Sequence, residues 1–194
     1  MTFGGYDAFD DPYCYKNTNV LKNKLGLRHP KLLESFELEM TTLRANEPLP
    51  RGNCDARHYR SVHYHLFQDV YRWAGKYRTV RTSKGGNPFC FPENIPATMD
   101  HLFAGLRESG ALSTSDSNRF VCEIANFLAE LNAIHAFREG NGRCQLAFVA
   151  VLGERAGFPF DFARVERETF LPAMIESYAG NLHPLTQELR RLLR

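Results

Sequence analysis

Two strongly apolar helical segments flank a short stretch that holds two glycines, and this arrangement constrains the fold more than any other feature of the chain. The first segment runs to about Ile134, and the second, CQLAFVAVLGERAG, stops at Gly157. The stretch between them, from 135 to 143, reads HAFREGNGR. Glycine tolerates backbone conformations that other residues avoid, so the chain can reverse here within a few residues. The sequence therefore predicts a helix, a tight turn and a second helix.

Apolar residues recur at helical spacing along most of the chain. This periodicity predicts helices over 30–44, 55–71, 93–107, from 116 or 117 to 134, 144–157, 166–178 and 184–193. Pro30 suits a first helical position, and Asp55 and either Asp116 or Ser117 are candidate N-caps. The side chains predicted to face inward on the first three helices are Leu32, Leu33, Phe36, Met40 and Leu43, then Tyr59, Val62, Leu66, Phe67 and Val70, then Ile95, Met99, Leu102, Phe103 and Leu106.

The segment from 76 to 91 has a different character. Tyr77, Val80 and the threonines beside them favour extended structure, and Lys84-Gly85-Gly86-Asn87 is typical of a turn. We therefore predict a β-hairpin in this segment. With 194 residues, the chain suits one domain, so the predicted fold is all-α: a compact helical bundle over 1–194 that carries one hairpin.

Charge and composition argue against several classes of protein. The formal net charge of +2 is too small to indicate binding to nucleic acid or to an anionic membrane, and no apolar run approaches the roughly 20 residues of a membrane span. The N-terminus, MTFGGYDAFDDPY, lacks the basic and apolar regions of a signal peptide. The five cysteines are scattered and form no CxxC pair, which indicates reduced thiols. These features predict a cytoplasmic protein, with delivery into another cell left open.

The GNG turn has the composition of an anion site. Gly140 and Gly142 allow positive φ, so successive backbone N–H groups can point into one concavity. The following helix adds the positive end of its dipole. Asn141 is a good cap and could contact a ligand, and Arg143 could add a charge-assisted contact to a phosphate.

The same stretch contains a candidate base and a candidate metal ligand. His135 titrates near neutrality and could take a proton from an attacking hydroxyl. Glu139 offers a hard oxygen ligand suited to Mg²⁺ that bridges phosphates, and Phe137 is expected to anchor the turn in the core. From residue chemistry alone, a phosphate site with a histidine base and a purely structural turn remain equally acceptable.

HAFREGNGR resembles the signature of the Fic (filamentation induced by cAMP) family, HxFx(D/E)GNGRxxR. The resemblance covers roughly residues 10–190. Two further stretches are similar to Fic domains, YKNTNVLKNKLG and HLFQDVYRWAGKYRT, and a third, YRTVRTSKGGNPFCF, resembles the hairpin "flap" of that family. Most Fic proteins transfer AMP from ATP to a hydroxyl side chain of a target protein. The resemblance therefore implies a protein adenylyltransferase that uses ATP and Mg²⁺.

The family pattern also implies a role for each matching residue. His135 would be the general base, Glu139 would hold Mg²⁺, and the nucleotide phosphates would contact the turn and Arg143. The implied nucleotide-binding residues are Gly140, Asn141, Gly142, Arg143 and Lys84. The flap would pair with a segment of the target through its main chain, at Thr82, Ser83, Gly85, Gly86 and Asn87. Lys84 and Asn87 are alternatively plain exposed turn residues.

The chain departs from the family pattern where a second arginine is expected, because Leu146 occupies that position. This arginine grips the γ-phosphate in the family. Three outcomes remain open: weakened AMP transfer, replacement of the contact by Lys84, Gln145 or an arginine elsewhere, or another donor, since some relatives transfer UMP, phosphate or phosphocholine.

Many Fic proteins carry an inhibitory helix, (S/T)xxxE(G/N), whose glutamate pairs with the second arginine. The stretch from Ser35 to Glu39 has the right beginning, but Met40 follows it, so an ordinary packed helix is expected. This absence points to a small antitoxin in trans or to no such control.

The resulting function is a toxin- or effector-type adenylyltransferase. Its partner is a target protein with a Tyr, Ser or Thr hydroxyl, and neither nucleic acid nor a membrane is expected. The alternatives are a degenerate Fic domain that binds nucleotide or a protein without transfer, and a plain helical interaction module. Tyr6, Tyr13 and Tyr15 could be sites of self-modification, although packing is the favoured interpretation.

Overall fold

A computed structural model describes residues 11–84 and 86–194 of the chain. The seven helices of this part are α1 Pro30–Ala45, α2 Ala56–Phe67, α3 Ile95–Glu108, α4 Ser117–Ile134, α5 Asn141–Ala156, α6 Arg167–Tyr178 and α7 His183–Leu192. Two antiparallel strands, β1 Ser83–Lys84 and β2 Asn87–Pro88, form a hairpin between α2 and α3. The predicted all-α fold with one hairpin is confirmed.

Helix α4 is the centre of the bundle and contacts α3, α5, α6 and α7. Its buried side chains recur at helical spacing, as predicted, and include Phe120, Ile124, Phe127, Leu128 and Leu131. Phe103 of α3 meets Phe127 edge-on, with 5.2 Å between ring centroids. Helix α2 packs against α5, and α1 covers the outer side of α2. The junction between α4 and α5 therefore lies next to α2.

Two aspartate side chains cap the N-termini of helices at the positions that the sequence predicts. Oδ1 of Asp55 accepts a hydrogen bond of 2.7 Å from the His58 N–H at the start of α2. Oδ1 of Asp116 accepts bonds of 2.9 and 3.3 Å from the N–H groups of Asn118 and Arg119 at the start of α4. Both contacts satisfy amides that have no acceptor within their own helix.

The predicted inward face of α1 is too wide. Leu33 is buried and Phe36 and Met40 are partly buried, but Leu32 and Leu43 are 59% and 55% exposed. Helix α1 packs mainly against one neighbour, α2, so only a narrow stripe of its own surface is buried. A helix inside a bundle is instead buried on several sides. The two leucines lie outside that stripe.

Helix α2 ends at Phe67, four residues before the predicted end. The Phe67 carbonyl accepts bonds of 3.0 Å from the N–H groups of both Val70 and Tyr71, so the chain turns there. The Val70 carbonyl then accepts a bond of 2.8 Å from Lys24 N–H in the N-terminal segment. Val70 and Tyr71 remain buried, so their apolar spacing resembled a continued helix without being one.

The hairpin is much shorter than the predicted 76–91, because each strand has only two residues. Residues 77–82 follow the end of α4 instead, held there by the buried Arg78. Its N–H donates to the Ala136 carbonyl at 3.0 Å, and its guanidinium donates to the carbonyls of Ile134, His135 and Val80. These bonds replace the ladder that a longer strand would make.

The remaining predictions on composition have plain outcomes. All five cysteines are free thiols. Within the described ranges, no helix has both the length and the apolar character needed to cross a membrane. Tyr13 and Tyr15 pack against the core, and Tyr13 meets Trp73 edge-on at 5.5 Å. Tyr6 lies outside the described residues.

Candidate active site

His135 ends α4 in a left-handed conformation, with φ 50° and ψ 59°. A non-glycine residue in this region is uncommon and often marks a functional position. The residue is only 7% exposed. The Phe89 ring covers its imidazole in a nearly parallel stack, with 4.0 Å between ring centroids. The candidate base thus lies directly beneath the hairpin, whereas the sequence suggests a base that opens into a pocket.

The pKa of His135 is lowered to about 3, first because burial disfavours the charged ring and then because the Arg78 guanidinium is close. A hydrogen bond to the Asn132 backbone opposes this shift, and the charges of Lys84 and Arg138 add to it. The imidazole is therefore neutral at pH 7, which is the form that can accept a proton.

The turn after His135 is closed by a pair of hydrogen bonds between Phe137 and Asn141. The Phe137 N–H donates to Oδ1 of Asn141 at 2.9 Å, and Nδ2 of Asn141 donates to the Phe137 carbonyl at 2.8 Å. Asn141 is the first residue of α5 and does not cap it, so the predicted cap is wrong. Because its buried side chain is bonded through both ends, the predicted ligand contact is restricted to its backbone amide.

The two glycines of the turn differ in what they require. Gly140 has φ 81°, and an added Cβ would lie 2.1 Å from the Phe67 ring, so both conformation and packing demand glycine. Gly142 is helical and exposed, and an added Cβ would meet nothing within 4 Å. The prediction of positive φ is therefore confirmed for Gly140 and wrong for Gly142. As the first amides of α5, those of Asn141, Gly142 and Arg143 have no carbonyl within the helix to bond.

Glu139 lies in the turn beside these amides. Its Oε1 accepts a bond of 2.8 Å from the Gly140 N–H and lies 3.6 Å from Nη2 of Arg143. Burial, followed by the negative charge of Glu37, raises the pKa of Glu139. Among residues 11–84 and 86–194, no three His, Cys, Asp or Glu side chains are grouped to hold a metal ion. A metal at Glu139 would therefore need other ligands, such as phosphate oxygens.

Arg143 is paired with an acidic residue of α1. Its Nη2 donates to Oε1 of Glu37, and its Nη1 donates to the Thr41 hydroxyl at 3.3 Å. Oε2 of Glu37 accepts a bond from the Tyr71 hydroxyl. The guanidinium also lies over the Phe67 ring, 4.8 Å from its centroid. The sequence gives no inhibitory glutamate, so this pairing between Glu37 and the remaining arginine of the signature was not foreseen.

Leu146 and Gln145, which follow Arg143 on α5, both contact the interior of the bundle. Leu146, at the position of the second arginine, packs partly buried against the core. Gln145 is buried with 2% exposure, and its Nε2 has no hydrogen-bond partner within the described residues. Because it lies inside the bundle, Gln145 is a poor substitute for the missing arginine, contrary to one of the predicted alternatives.

The hairpin contacts His135 through the Phe89 ring, and its described residues differ in exposure. Thr82 is buried, and its carbonyl accepts a bond of 3.1 Å from the Phe89 N–H. Ser83 and Lys84 pair with Pro88 and Asn87, and Lys84, Gly86 and Asn87 are exposed. Lys84 lies near enough to His135 for its charge to lower the pKa of the imidazole. Gly85 lies outside the described residues.

Several residues that shape the site were missed from sequence. Arg78 was missed because arginine usually lies on the surface, whereas this side chain is only 1% exposed. Arg138 forms a buried ion pair of 2.6 Å with Asp11.

Two concave surfaces, of about 490 and 530 Å³, are lined by other parts of the chain. Only the stretch HLFQDVYRWAG, through its resemblance, pointed to the α2 region that supports the turn.

The chain is similar in sequence to proteins of one family. The model of the Fic/DOC family matches residues 53–152. The chain is 47% identical over 189 residues to "Probable protein adenylyltransferase y4lH" of Sinorhizobium fredii, a match that covers 97% of this chain and 98% of the relative.

Two solved structures share the fold. The N-terminal Fic domain of a VirB-translocated Bep effector of Bartonella quintana, with bound ADP, has a TM-score of 0.85 at 30% identity and 94% coverage of both chains. BepC of Bartonella tribocorum, with bound AMPPNP, has a TM-score of 0.82 at 27% identity, covering 94% of this chain and 96% of that one. The signature, the helical bundle and these similarities together lead to one conclusion: the chain belongs to the Fic/DOC family.

Proposed function

We propose that this protein is an adenylyltransferase that moves AMP from ATP to a hydroxyl side chain of a target protein. The single observation that carries the proposal is that one turn brings together a neutral imidazole, a carboxylate, a guanidinium and the first amides of a helix. The names of relatives such as y4lH of Sinorhizobium fredii agree with this activity.

His135 is the general base in this proposal. A target hydroxyl oxygen attacks the α-phosphorus of ATP, its proton passes to the neutral imidazole, and pyrophosphate leaves with the electrons of the broken P–O bond. Phe89 of the hairpin stacks on one face of the ring, so a target segment that binds the hairpin is brought next to the base.

The phosphates of ATP bind at the start of α5. The amides of Asn141, Gly142 and Arg143 have no helical acceptor, and the helix dipole favours an anion there. A Cβ added at Gly142 would meet no heavy atom within 4 Å apart from its chain neighbours and the backbone of its own helix, so the space beside these amides is open. The Arg143 guanidinium supplies the positive charge once it leaves Glu37.

Glu139 would hold Mg²⁺ together with phosphate oxygens. Burial and the nearby negative charge of Glu37 raise the pKa of its carboxyl. A bound cation would offset the repulsion between this carboxylate and the phosphates. When bound, the metal supplies neutralisation of phosphate charge. The carboxylate is already oriented toward the amides of the turn, because Oε1 bonds the Gly140 N–H.

The hairpin is the proposed docking element for the target. Its four strand residues leave outer edges to which an extended peptide can add by main-chain hydrogen bonds. The proposed docking residues are Thr82, Ser83, Gly85, Gly86 and Asn87, and Lys84 of β1 offers a contact to nucleotide or target. We extend the proposal to a toxin- or effector-type role in the cytoplasm of the producing or a recipient cell, with a small antitoxin protein as its partner in trans.

A second candidate function follows from Leu146 and from the Glu37–Arg143 pair. Without the second arginine, and with the first one bound to Glu37, the chain could bind nucleotide or a protein without transferring anything, or could use another phosphate-containing donor.

The test is transfer to lysate proteins from ATP labelled at the α-phosphate or at the γ-phosphate, in the presence of Mg²⁺. Labelling from α-labelled ATP alone, lost in His135→Ala, supports AMP transfer. Labelling from the γ-phosphate would mean phosphate transfer. Calorimetric ATP binding without any labelling would favour the second function, and equal labelling by wild type and His135→Ala would overturn the role of His135.

A further inference from the structure

A second histidine, His63 of α2, lies directly behind the signature turn and is completely buried. Its Nε2 lies 3.0 Å from the backbone carbonyl oxygen of Glu139. Its Nδ1 accepts a hydrogen bond of 2.9 Å from the Gly75 N–H. Since Nδ1 acts as an acceptor, the proton of the neutral ring resides on Nε2 and is donated to Glu139.

Aromatic rings hold His63 in its plane. Phe137 stacks on it with 3.7 Å between ring centroids, and Phe67 stacks on it at 4.7 Å. Both rings also touch the site: Phe137 belongs to the turn, and Phe67 lies against Gly140 and beneath Arg143. The imidazole is therefore held in a fixed orientation between α2 and the turn.

The contact to Glu139 has a specific consequence for the peptide that joins Glu139 to Gly140. The carbonyl of this peptide accepts from His63, and its N–H donates to Oε1 of Glu139. A peptide next to a glycine rotates easily, because glycine accepts both signs of φ. Rotation would remove both bonds at once, turning away the Glu139 carboxylate and changing the direction of the following amides.

We propose that His63 is a positioning residue that locks the Glu139–Gly140 peptide and thereby aims the Glu139 carboxylate and the amides of the turn at the nucleotide phosphates. The inference rests on the proposed function of the turn. It differs from a purely structural role, in which His63 merely fills space between α2 and the turn and its two hydrogen bonds contribute equally to stability.

Two substitutions separate these roles, because each keeps one nitrogen position of the ring. In His63→Gln, the terminal amide lies as far from Cβ as Nε2 does and can donate to the Glu139 carbonyl. In His63→Asn, the carbonyl oxygen lies as far from Cβ as Nδ1 does and can accept from Gly75. Each variant leaves one buried backbone group without its partner, so similar falls in the thermal unfolding temperature are expected.

The readout that stability does not determine is the Mg²⁺ concentration at half-maximal AMP transfer. We expect this concentration to be about tenfold higher or more in His63→Asn than in His63→Gln, the scale of effect seen for groups that support a metal ligand. His101→Gln, at an exposed position of α3, is the control for introducing an amide and should match wild type. Equal Mg²⁺ dependence in His63→Asn and His63→Gln would overturn the inference.

Glu139→Gln distinguishes failure of the inference from failure of the proposed function. If Glu139→Gln transfers AMP with unchanged Mg²⁺ dependence, the proposed site is wrong. If it is impaired while the two His63 variants agree with each other, only the role of His63 is wrong.

A measurement on the wild-type protein keeps the proposal testable if both variants fail to fold. ¹⁵N NMR of the histidine rings at pH 7 should show His63 as the neutral tautomer protonated at Nε2, with a proton protected from exchange. A ring protonated at Nδ1, or at both nitrogens, would overturn the assignment.

Discussion

Glu37 of α1 and Arg143 of α5 form an ion pair although 106 positions separate them in the chain. Arg143 also lies 3.6 Å from Glu139, so one guanidinium stands between two carboxylates. Nucleotide phosphates would have to compete with Glu37 for this guanidinium. We therefore expect the pair to oppose the binding of an anion at the turn.

Replacing Glu37 by glutamine is expected to strengthen nucleotide binding. Glutamine can still bond Tyr71 and Arg143, but its bond to Arg143 lacks the contribution of the second charge, a difference of about 1 kcal/mol, which corresponds to roughly fivefold in affinity. The measurement is calorimetry with a non-hydrolysable ATP analogue. Glu39→Gln, on the exposed side of α1, is the matched control. Weaker binding in Glu37→Gln would mean that the carboxylate orients Arg143 for the ligand.

Substitution of the two glycines by alanine should separate folding from ligand binding. Gly140→Ala places a methyl group 2.1 Å from the Phe67 ring at φ 81°, so a loss of about 3 kcal/mol or more in the free energy of unfolding is expected. Gly142→Ala adds a methyl group to open space in a helix, where alanine is favoured by about 1 kcal/mol, so the fold should be as stable as wild type or more so.

Nucleotide affinity should nevertheless fall in Gly142→Ala. The methyl group would cover the amides that the phosphates approach, and losing one hydrogen bond to a charged group costs about 1.5–3 kcal/mol, or roughly 10- to 100-fold in affinity. Urea unfolding and calorimetry on the same samples give both numbers. An unchanged affinity in a stable Gly142→Ala protein would argue against phosphate binding at this turn.

The buried His135 ring predicts a dependence of stability on pH. Its pKa in the folded protein is about 3, below the ordinary value of about 6.5, so between these two values the unfolded chain binds the proton and the folded protein does not. The resulting loss of stability begins as the pH falls below about 6.5 and amounts to at most about 1.4 kcal/mol per pH unit for one group. His135→Ala should therefore show a shallower decline than wild type in urea unfolding between pH 6.5 and pH 5, and parallel curves would contradict the burial of a neutral ring.

The sequence located those parts of the site that lie within one short stretch. His135, Glu139, Gly140 and Arg143 are neighbours in the chain, and the resemblance of this stretch to the Fic signature favoured an anion site with a base over a purely structural turn. Glu37 could not be found in this way, because Glu34, Glu37 and Glu39 look alike on α1 and only the packing of α1 on α2 selects the one that reaches Arg143.

Burial of polar groups explains most of the other differences. Arg78 is an ordinary cation by sequence, yet in the fold it is buried and donates to the carbonyls of Ile134 and His135 at the end of α4, outside the short hairpin. The seven helices were predictable because apolar periodicity reports burial directly. The apolar periodicity of α2 continues past Phe67, because Val70 and Tyr71 are buried although they lie outside the helix. The periodicity therefore could not define the end of α2.

Restoring the signature arginine in Leu146→Arg is expected to increase AMP transfer. Position 146 lies one helical turn after Arg143 on α5, so a new guanidinium can approach the same phosphates, and one further bond to a charged group would add about 10- to 100-fold in rate if felt fully in the transition state. Leu146 is partly buried against the core, and its removal should cost roughly 1–2 kcal/mol of stability. Leu146→Gln, which loses the same packing without adding a charge, is the control, and transfer is compared by labelling from α-labelled ATP. A gain confined to Leu146→Arg would mean that the natural chain is an attenuated transferase, whereas no gain would mean that its nucleotide is held in another way.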